Sequence, residues 1–363
     1  MVGAVIPVLY PATERTFSNN GLGGLPDAIS CAVTEKRNTP GGYYLEMDYP
    51  CNGLHFSDLA PERIIYAAPA PGKSPQPFYI ERITEAIDGI VHIEAPHISS
   101  RMQKIVTYGR TVSQNPEAVW YTLTQIAISI GQQVDFTWLR TDILSDVAKT
   151  IDFRVPTQLS EILVGSEGSI IDTYGGELEF DGWDIILHSQ RGVDSGIEIR
   201  YGVNMTQLDA ETDASDLVTA VLPYWKGRVN DTDTVVYGDL CTSSNASAYA
   251  TIRAIPFDAT QKIGSDSQPT KAQVTAAGQA YINSTATTDL SMSITTSFAP
   301  ALIGDRPLYL CDTVKVVHPD LGVSSTAKVV ETRFNVLTGQ YESITIGSIR
   351  RSIVDTIAGI IKK

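Results

Sequence analysis

Residues 175–227, GGELEFDGWDIILHSQRGVDSGIEIRYGVNMTQLDAETDASDLVTAVLPYWKG, constrain the fold more than any other stretch. Leu178 and Phe180 alternate with Glu177 and Glu179, and Ile185 and Leu187 alternate with Asp184, Ile186 and His188. Alternation of period two places one set of side chains on a buried face of a strand. Asp181-Gly182 between the two runs supplies the residue pair of a type I′ turn, so the spacing predicts a hairpin with Trp183 starting its return strand. A short strand over 197–201 follows, then a charged connection read as turn-rich, then an apolar strand from Leu217 to Trp225. The stretch reads as a chain crossing between domains and not as an active site.

The chain has 363 residues, beyond the usual range of a single core, so two to four domains are expected. With 43% hydrophobic and 19% charged residues it belongs with globular proteins and not with disordered ones. The formal net charge is −14, and the longest basic runs are pairs such as Lys36-Arg37, Arg350-Arg351 and Lys362-Lys363. A nucleic-acid interface needs a basic cluster, so stable DNA binding is not expected. An acidic wall that repels passing phosphate fits the same charge. Cys31, Cys51, Cys241 and Cys311 are far apart in sequence, without Cys-x-x-Cys, and are expected as free thiols. Residues 1–9 lack a basic flank and are not read as a signal peptide; no run of about 18 apolar residues exists, so no membrane-spanning helix is expected.

Short apolar strands punctuated by Gly, Pro and Asn run from Val5 to Ala95 and indicate an antiparallel barrel or sandwich. At Asn115-Pro116-Glu117 the period changes. Asn caps, Pro occupies the first helical position, and Val119, Leu123, Ile126 and Ile130 recur at helical spacing before Gly131. A second helix is predicted over 141–150 and a third near 158–164. Thr270-Lys271-Ala272-Gln273 is a capping box opening a helix to about Asn283. Period two then returns from Leu290 to Ile346. The predicted fold class is mainly β with an α+β insertion. Residues 1–107 with 195–236 form a first small antiparallel β-barrel, and 108–194 the insertion. Residues 237–285 form a mixed connecting domain, 286–348 a second barrel, and 349–363 an amphipathic helix. Burying Ile349, Ile353, Ile357 and Ile360 of that helix yields on the order of 8 kcal/mol. Ordering its backbone costs about 1–2 kcal/mol per residue, so it must pack on its own domain or meet copies of itself on a symmetry axis.

No catalytic, cofactor-binding or metal-binding residues are assigned. Cys51 and His55 are four apart, but Asn52-Gly53 between them signals a turn, and a nucleophile needs a third, orienting group. His55, His92, His97, His188 and His318 form no zinc-peptidase pattern, and His97 reads as a hydrogen-bonded residue at a strand end. Asp209, Glu211, Asp213 and Asp216 are spaced like the start of a calcium loop, but Ala214 and Ala220 replace its glycine and its final glutamate.

The motifs in order do carry a resemblance. "DGW-I-L-H-RG" over 181–192, "G-IRYG-N" over 196–204 and "D-SDLVT-LPY-KG" over 213–227 resemble the hub proteins at siphophage tail tips, the prophage tail endopeptidase or tail-associated lysin family. Asn20-Gly21-Leu22-Gly23, Leu25 to Cys31, Val33-Thr34-Glu35, Pro75 to Ile80 and Ala95 to Ser99 extend it over most of the chain. The resemblance implies a baseplate-hub-like fold and a homotrimer in which two barrel-like domains per subunit alternate as a pseudo-six-fold ring. It further implies a distal tail protein, tail tube and tape-measure protein as partners, and a fibre or lytic tip protein below. DNA is implied only as passing cargo, and location in the virion tail tip after assembly in the host cytoplasm. In such proteins the lytic module follows the hub region, and this chain stops about where that region ends, so a structural role is expected. A cell-wall endopeptidase and a host-glycan-binding module are the alternatives.

Overall fold

The computed structural model describes residues 6–85, 88–143, 148–166, 168–200, 205–213, 217–229, 232–264, 267–284, 291–298, 307–318 and 323–347. The chain divides into two compact units, one of residues 1–208 with 295–346 and the other of 209–294 with 347–363. The fold is mainly β, and the α+β insertion lies within the first unit.

The first unit is built on a meander. Ser30–Lys36 pairs with Tyr43–Pro50, which pairs with Ile90–Pro96, which pairs with Arg82–Glu85, all antiparallel. The Tyr43–Pro50 strand alternates without a break, and Tyr43, Leu45, Met47 and Tyr49 are the buried set. A second sheet, Val8–Tyr10 with Gly23–Gly24 and with Ile64–Ala67 and Gln76–Tyr79, faces the first. Leu9, Leu25, Ile65 and Phe78 from this sheet interdigitate with Val33, Leu45, Met47 and Ile93 from the other in one core.

The β regions expected as two separate barrels share a sheet. Val323–Asn335 pairs antiparallel with Ser30–Lys36 on one side and with Gln340–Ile346 on the other, and Phe334 and Val336 enter the N-terminal core. Thr313–His318 pairs with Val323–Asn335 and, in parallel, with Asp194–Arg200. Alternation specifies which face of a strand is buried but not which strand lies beside it, which is why the ends of the chain read as independent.

The insertion has its own core. Asn115 accepts from the Ala118 amide at 2.9 Å and caps the Pro116–Ser129 helix, whose Val119, Trp120, Leu123 and Ala127 are fully buried; Ile126 is half-buried and Ile130 more than a third exposed. Trp120 donates its indole N–H to the Phe136 carbonyl at 2.9 Å. The third predicted helix is present as Leu159–Leu163, but the second is not found among the described residues. Thr141 ends the Leu139–Thr141 strand and Lys149-Thr150 begin the Lys149–Phe153 strand, where cross-strand pairing with Arg110–Gln114 overrides the local helical spacing.

The predicted hairpin is present with a correction at its tip. Glu177–Asp181 pairs with Asp184–His188, and Asp181 lies opposite Asp184. The turn is therefore Gly182-Trp183, with positive φ (58°) needed only at Gly182. Leu139–Thr141 adds in parallel to the return strand, burying Ile185 and Leu187.

The second unit holds the Ala220–Val229 strand. Expected to return to the first barrel, it pairs instead with Thr232–Tyr237 and Cys241–Thr242 and, in parallel, with Ala254–Asp258. The predicted helix covers the sheet as Lys271–Ser284. Thr270 Oγ1 accepts from the Gln273 amide at 3.3 Å and Gln273 Oε1 accepts from the Thr270 amide at 2.8 Å, the two halves of a capping box. Val221, Trp225, Cys241, Phe257, Val274 and Ile282 form this core.

Replacing Asn115 with Ala removes an acceptor from an otherwise unpaired helix N-terminus and is expected to lower stability by about 1 kcal/mol. Asn115→Asp should retain it. Urea unfolding of the two variants checks this; equal losses would show that the cap does not act through the side-chain oxygen.

Candidate functional site

The most developed polar site of the first unit lies where the 177–188 hairpin meets the meander. Glu177 is 2% exposed, and three groups meet it: Arg37 Nε at 2.9 Å, Lys328 Nζ at 2.6 Å, and the Arg191 amide, which donates to Oε2 at 2.8 Å. Burial alone would raise the carboxyl, but Lys328, the Arg191 amide and Arg37 outweigh it and hold Glu177 below its usual value. The Arg191 guanidinium lies largely, not fully, buried beside it. It lies 2.8 Å from Glu35 Oε1 and 3.8 Å from Glu179 Oε1, and donates to the Leu178 carbonyl at 3.0 Å. Burial opposes its charge, but Glu35 and then Glu179 reverse that and raise its pKa. His188 Nε2 completes the chain, 2.8 Å from Glu179 Oε2.

Uncharged groups grip the same hairpin. Asn38, in the turn between the first two meander strands, donates to the Gly176 carbonyl and accepts from the Leu178 amide, both at 2.9 Å. Gln76 donates to Asp181 at 2.8 Å and accepts from the Gly182 amide at 2.7 Å. Behind the hairpin, Gly192 presses on the backbone of Cys311, and a Cβ there would overlap the Cys311 carbonyl. Asp312 fixes the approach by accepting from the Val193 and Tyr309 amides, each at 2.9 Å. A cavity of about 410 Å³ opens beside this junction, with Tyr43, Tyr309, Tyr341, Glu35, Glu179 and Arg191 among its walls.

In the sequence, Glu35, Gln76, Arg191 and Gly192 fall within the motifs that carry the resemblance, with no role attached to them. The signal that could have found them is Arg191-Gly192 itself: a charge next to a glycine directly after a buried strand marks a close, paired backbone crossing. The residues tested for chemistry are placed differently. His55 Nδ1 lies 3.2 Å from Asp58, while its Nε2 edge packs against Gly23. His97 is fully buried at a strand end. Its Nδ1 accepts from the Ser99 amide at 3.2 Å, its ring stacks on Tyr43, and burial pushes its pKa down to about 3. His92 pairs with Asp48 at 2.8 Å on the surface. Asp209, Glu211 and Asp213 lie in the Met205–Asp213 strand, so the connection read as turn-rich is extended over those residues. Asp216 and the candidate axis residues Ile349, Ile353, Ile357 and Ile360 lie outside the described residues. All four cysteines are free, and burial pushes Cys311 up to about 12. Among the described residues no three His, Cys, Asp or Glu side chains are grouped to hold a metal ion.

Arg191→Ala would leave the largely buried Glu35 and the partly buried Glu179 without their cation, and is expected to cost about 2–3 kcal/mol in urea unfolding. Gly192→Ala should cost about 1–3 kcal/mol through overpacking against Cys311. A loss within 0.5 kcal/mol in either variant would contradict the geometry. The folded pKa of His97 lies below its unfolded value of about 6.5, so the unfolded chain binds the proton first as pH falls. Stability should therefore fall by about 1.4 kcal/mol per pH unit between roughly pH 6 and 4, and His97→Gln should flatten that slope. Glu177 and Glu179, held below their usual values, contribute stability that is lost only further down, below about pH 4.

Comparison with known proteins follows the same lines. Residues 193–357 match the family model described as prophage endopeptidase tail. No curated protein matches the chain. Among solved structures, prophage tail protein gp18 from Listeria monocytogenes EGD-e is similar at a TM-score of 0.60 and 15% identity, covering 99% of both chains. The tail protein from Neisseria meningitidis MC58 is similar at 0.59 and 9% identity, covering 95% of this chain and 96% of its own. The 43 kDa tail protein of prophage MuSo2 from Shewanella oneidensis is similar at 0.55 and 10%, covering 95% and 98%. The chain thus resembles prophage tail proteins in sequence over residues 193–357 and shares their fold along nearly its whole length.

Proposed function

We propose that the chain is a structural hub of a phage tail tip. Three copies form a ring in which two β regions per subunit alternate as six blades. The ring adapts the six-fold tail tube and distal tail protein above to a three-fold tip below, and its lumen passes DNA or the tape-measure protein. The observation that supports this best is the extent of the fold likeness, which runs through both units and the insertion instead of stopping at one module. A net charge of −14 suits a lumen from which phosphate is repelled. The C-terminal isoleucines Ile349, Ile353, Ile357 and Ile360 are proposed to meet at the three-fold axis.

Two other readings have an observation each. The family description names an endopeptidase, so cell-wall hydrolysis is the second reading. For the thiol–imidazole pair considered for it, Cys51 and His55, the imidazole is hydrogen-bonded to Asp58 and its other edge packs against Gly23, and no contact joins it to Cys51 among the described residues. The third is host-glycan binding, favoured by Trp138 of the insertion, which is 66% exposed and stacked on Tyr121 at 5.1 Å. Aromatic faces of this kind can receive sugar rings.

Light scattering of the purified chain over a wide concentration range should give three times the chain mass, and truncation at Ile349 should lower it. A monomer at every concentration would overturn the self-assembling ring. Release of peptidoglycan fragments that is abolished by Cys51→Ala would move the hydrolase reading to first place.

A further inference from the structure

The 410 Å³ cavity beside the hairpin junction has the composition of a receptor for an organic cation, and it lies wholly within the first unit. Four carboxylates line it, Glu35, Glu179, Asp181 and Asp312, against two cations, Lys73 and Arg191. Arg191 is saturated by Glu35 and Glu179, and Asp312 is held by two backbone amides. Negative charge is therefore in surplus around Asp181, which the neutral Gln76 meets at 2.8 Å. Aromatic rings supply the rest of the wall: Tyr43, Tyr309, Tyr341 and Phe180. Carboxylates beside aromatic faces recognise ammonium and guanidinium groups by combining charge pairing with attraction to the ring quadrupole. The chain already shows that mode, because Lys73 places its ammonium 4.9 Å from the Tyr309 ring centre.

A second observation points to a ligand independently of the charge. Tyr43 is 6% exposed and lines the cavity, yet no described residue hydrogen-bonds its hydroxyl. Its ring is fixed by stacking on His97 and by an edge contact with Phe78, so the hydroxyl cannot swing away to find a partner. Its neighbours Tyr309 and Tyr341 do have partners, donating to the Pro71 and Leu308 carbonyls at 3.0 and 2.6 Å. The Tyr43 hydroxyl is thus open to the cavity with no partner among the described residues, and a group placed there can take it as a hydrogen-bond acceptor.

We propose that this cavity binds an amine-bearing group, whose N–H donors meet the Tyr43 hydroxyl oxygen and the Asp181 carboxylate while its charge lies over the Tyr309 face. The group is either the side chain of a lysine on another protein or a small free diamine. This site is separate from the hub reading and does not rest on it.

The test is calorimetric titration of the full chain with N-acetyl-lysine methylamide and with 1,5-diaminopentane, using N-acetylated amines as uncharged controls. Saturable binding is expected for at least one amine and none for the controls. Tyr43→Phe and Asp181→Asn should each weaken it about fivefold, the worth of one hydrogen bond. Lys73→Met, at an exposed position, should strengthen it by freeing the Tyr309 face. Thermal melts confirm that each variant is folded. Tighter binding of the lysine derivative assigns the site to a partner's side chain, and tighter binding of the diamine assigns it to a free polyamine. No saturation at millimolar amine, or equal affinity in wild type, Tyr43→Phe and Lys73→Met, would overturn the proposal.

Discussion

The buried ion network around Arg191 and Glu177 is the constraint on which the first unit depends. It joins a strand near the N-terminus (Glu35, Arg37), the hairpin of the insertion (Glu177, Glu179) and a strand near the C-terminus (Lys328). Removing such charges from water is expensive, and their mutual attraction roughly repays it only when geometry is good. The network therefore adds little net stability and much selectivity, since a misplaced hairpin would leave at least two charges buried without partners. Asn38 and Gln76 act in the same sense, reading the hairpin backbone on either side of its length. The insertion is thereby held at one angle on the β scaffold.

How much of this was legible depends on range. The hairpin over 177–188 was, because its signals are adjacent in sequence. The turn lies one position later than Asp181-Gly182 suggested, yet Leu178 and Phe180 still face Ile185 and Leu187. The slip in pairing is two residues, and a slip of two leaves every side chain on its face. The Asn115 cap and the Thr270 box are local as well, and both formed. What could not be read is long-range. Val323–Asn335 pairs with a strand about 300 positions earlier, and Lys149 and Thr150, at the end of a helical pattern, pair across strands instead. The roles of Arg191, Glu35 and Glu177 exist only once those distant strands are adjacent.

The functional reading has the same structure. The two cysteines whose thiols burial raises most, Cys31 and Cys311, are packed in the interior. The well-organised features are instead scaffolding: a sheet shared by both ends of the chain, a clamped insertion, and a separate β unit covered by one capped helix. A hub acts through extended surfaces, so such a distribution of organisation suits that role. The cavity proposed to bind an amine lies beside this clamp.

The central claim, that three copies close into a ring with six blades, is tested most directly by single-particle electron microscopy of the purified assembly. The account predicts three-fold projections with a six-lobed outline and an open centre. Class averages of another symmetry, or a compact particle without a lumen, would contradict it.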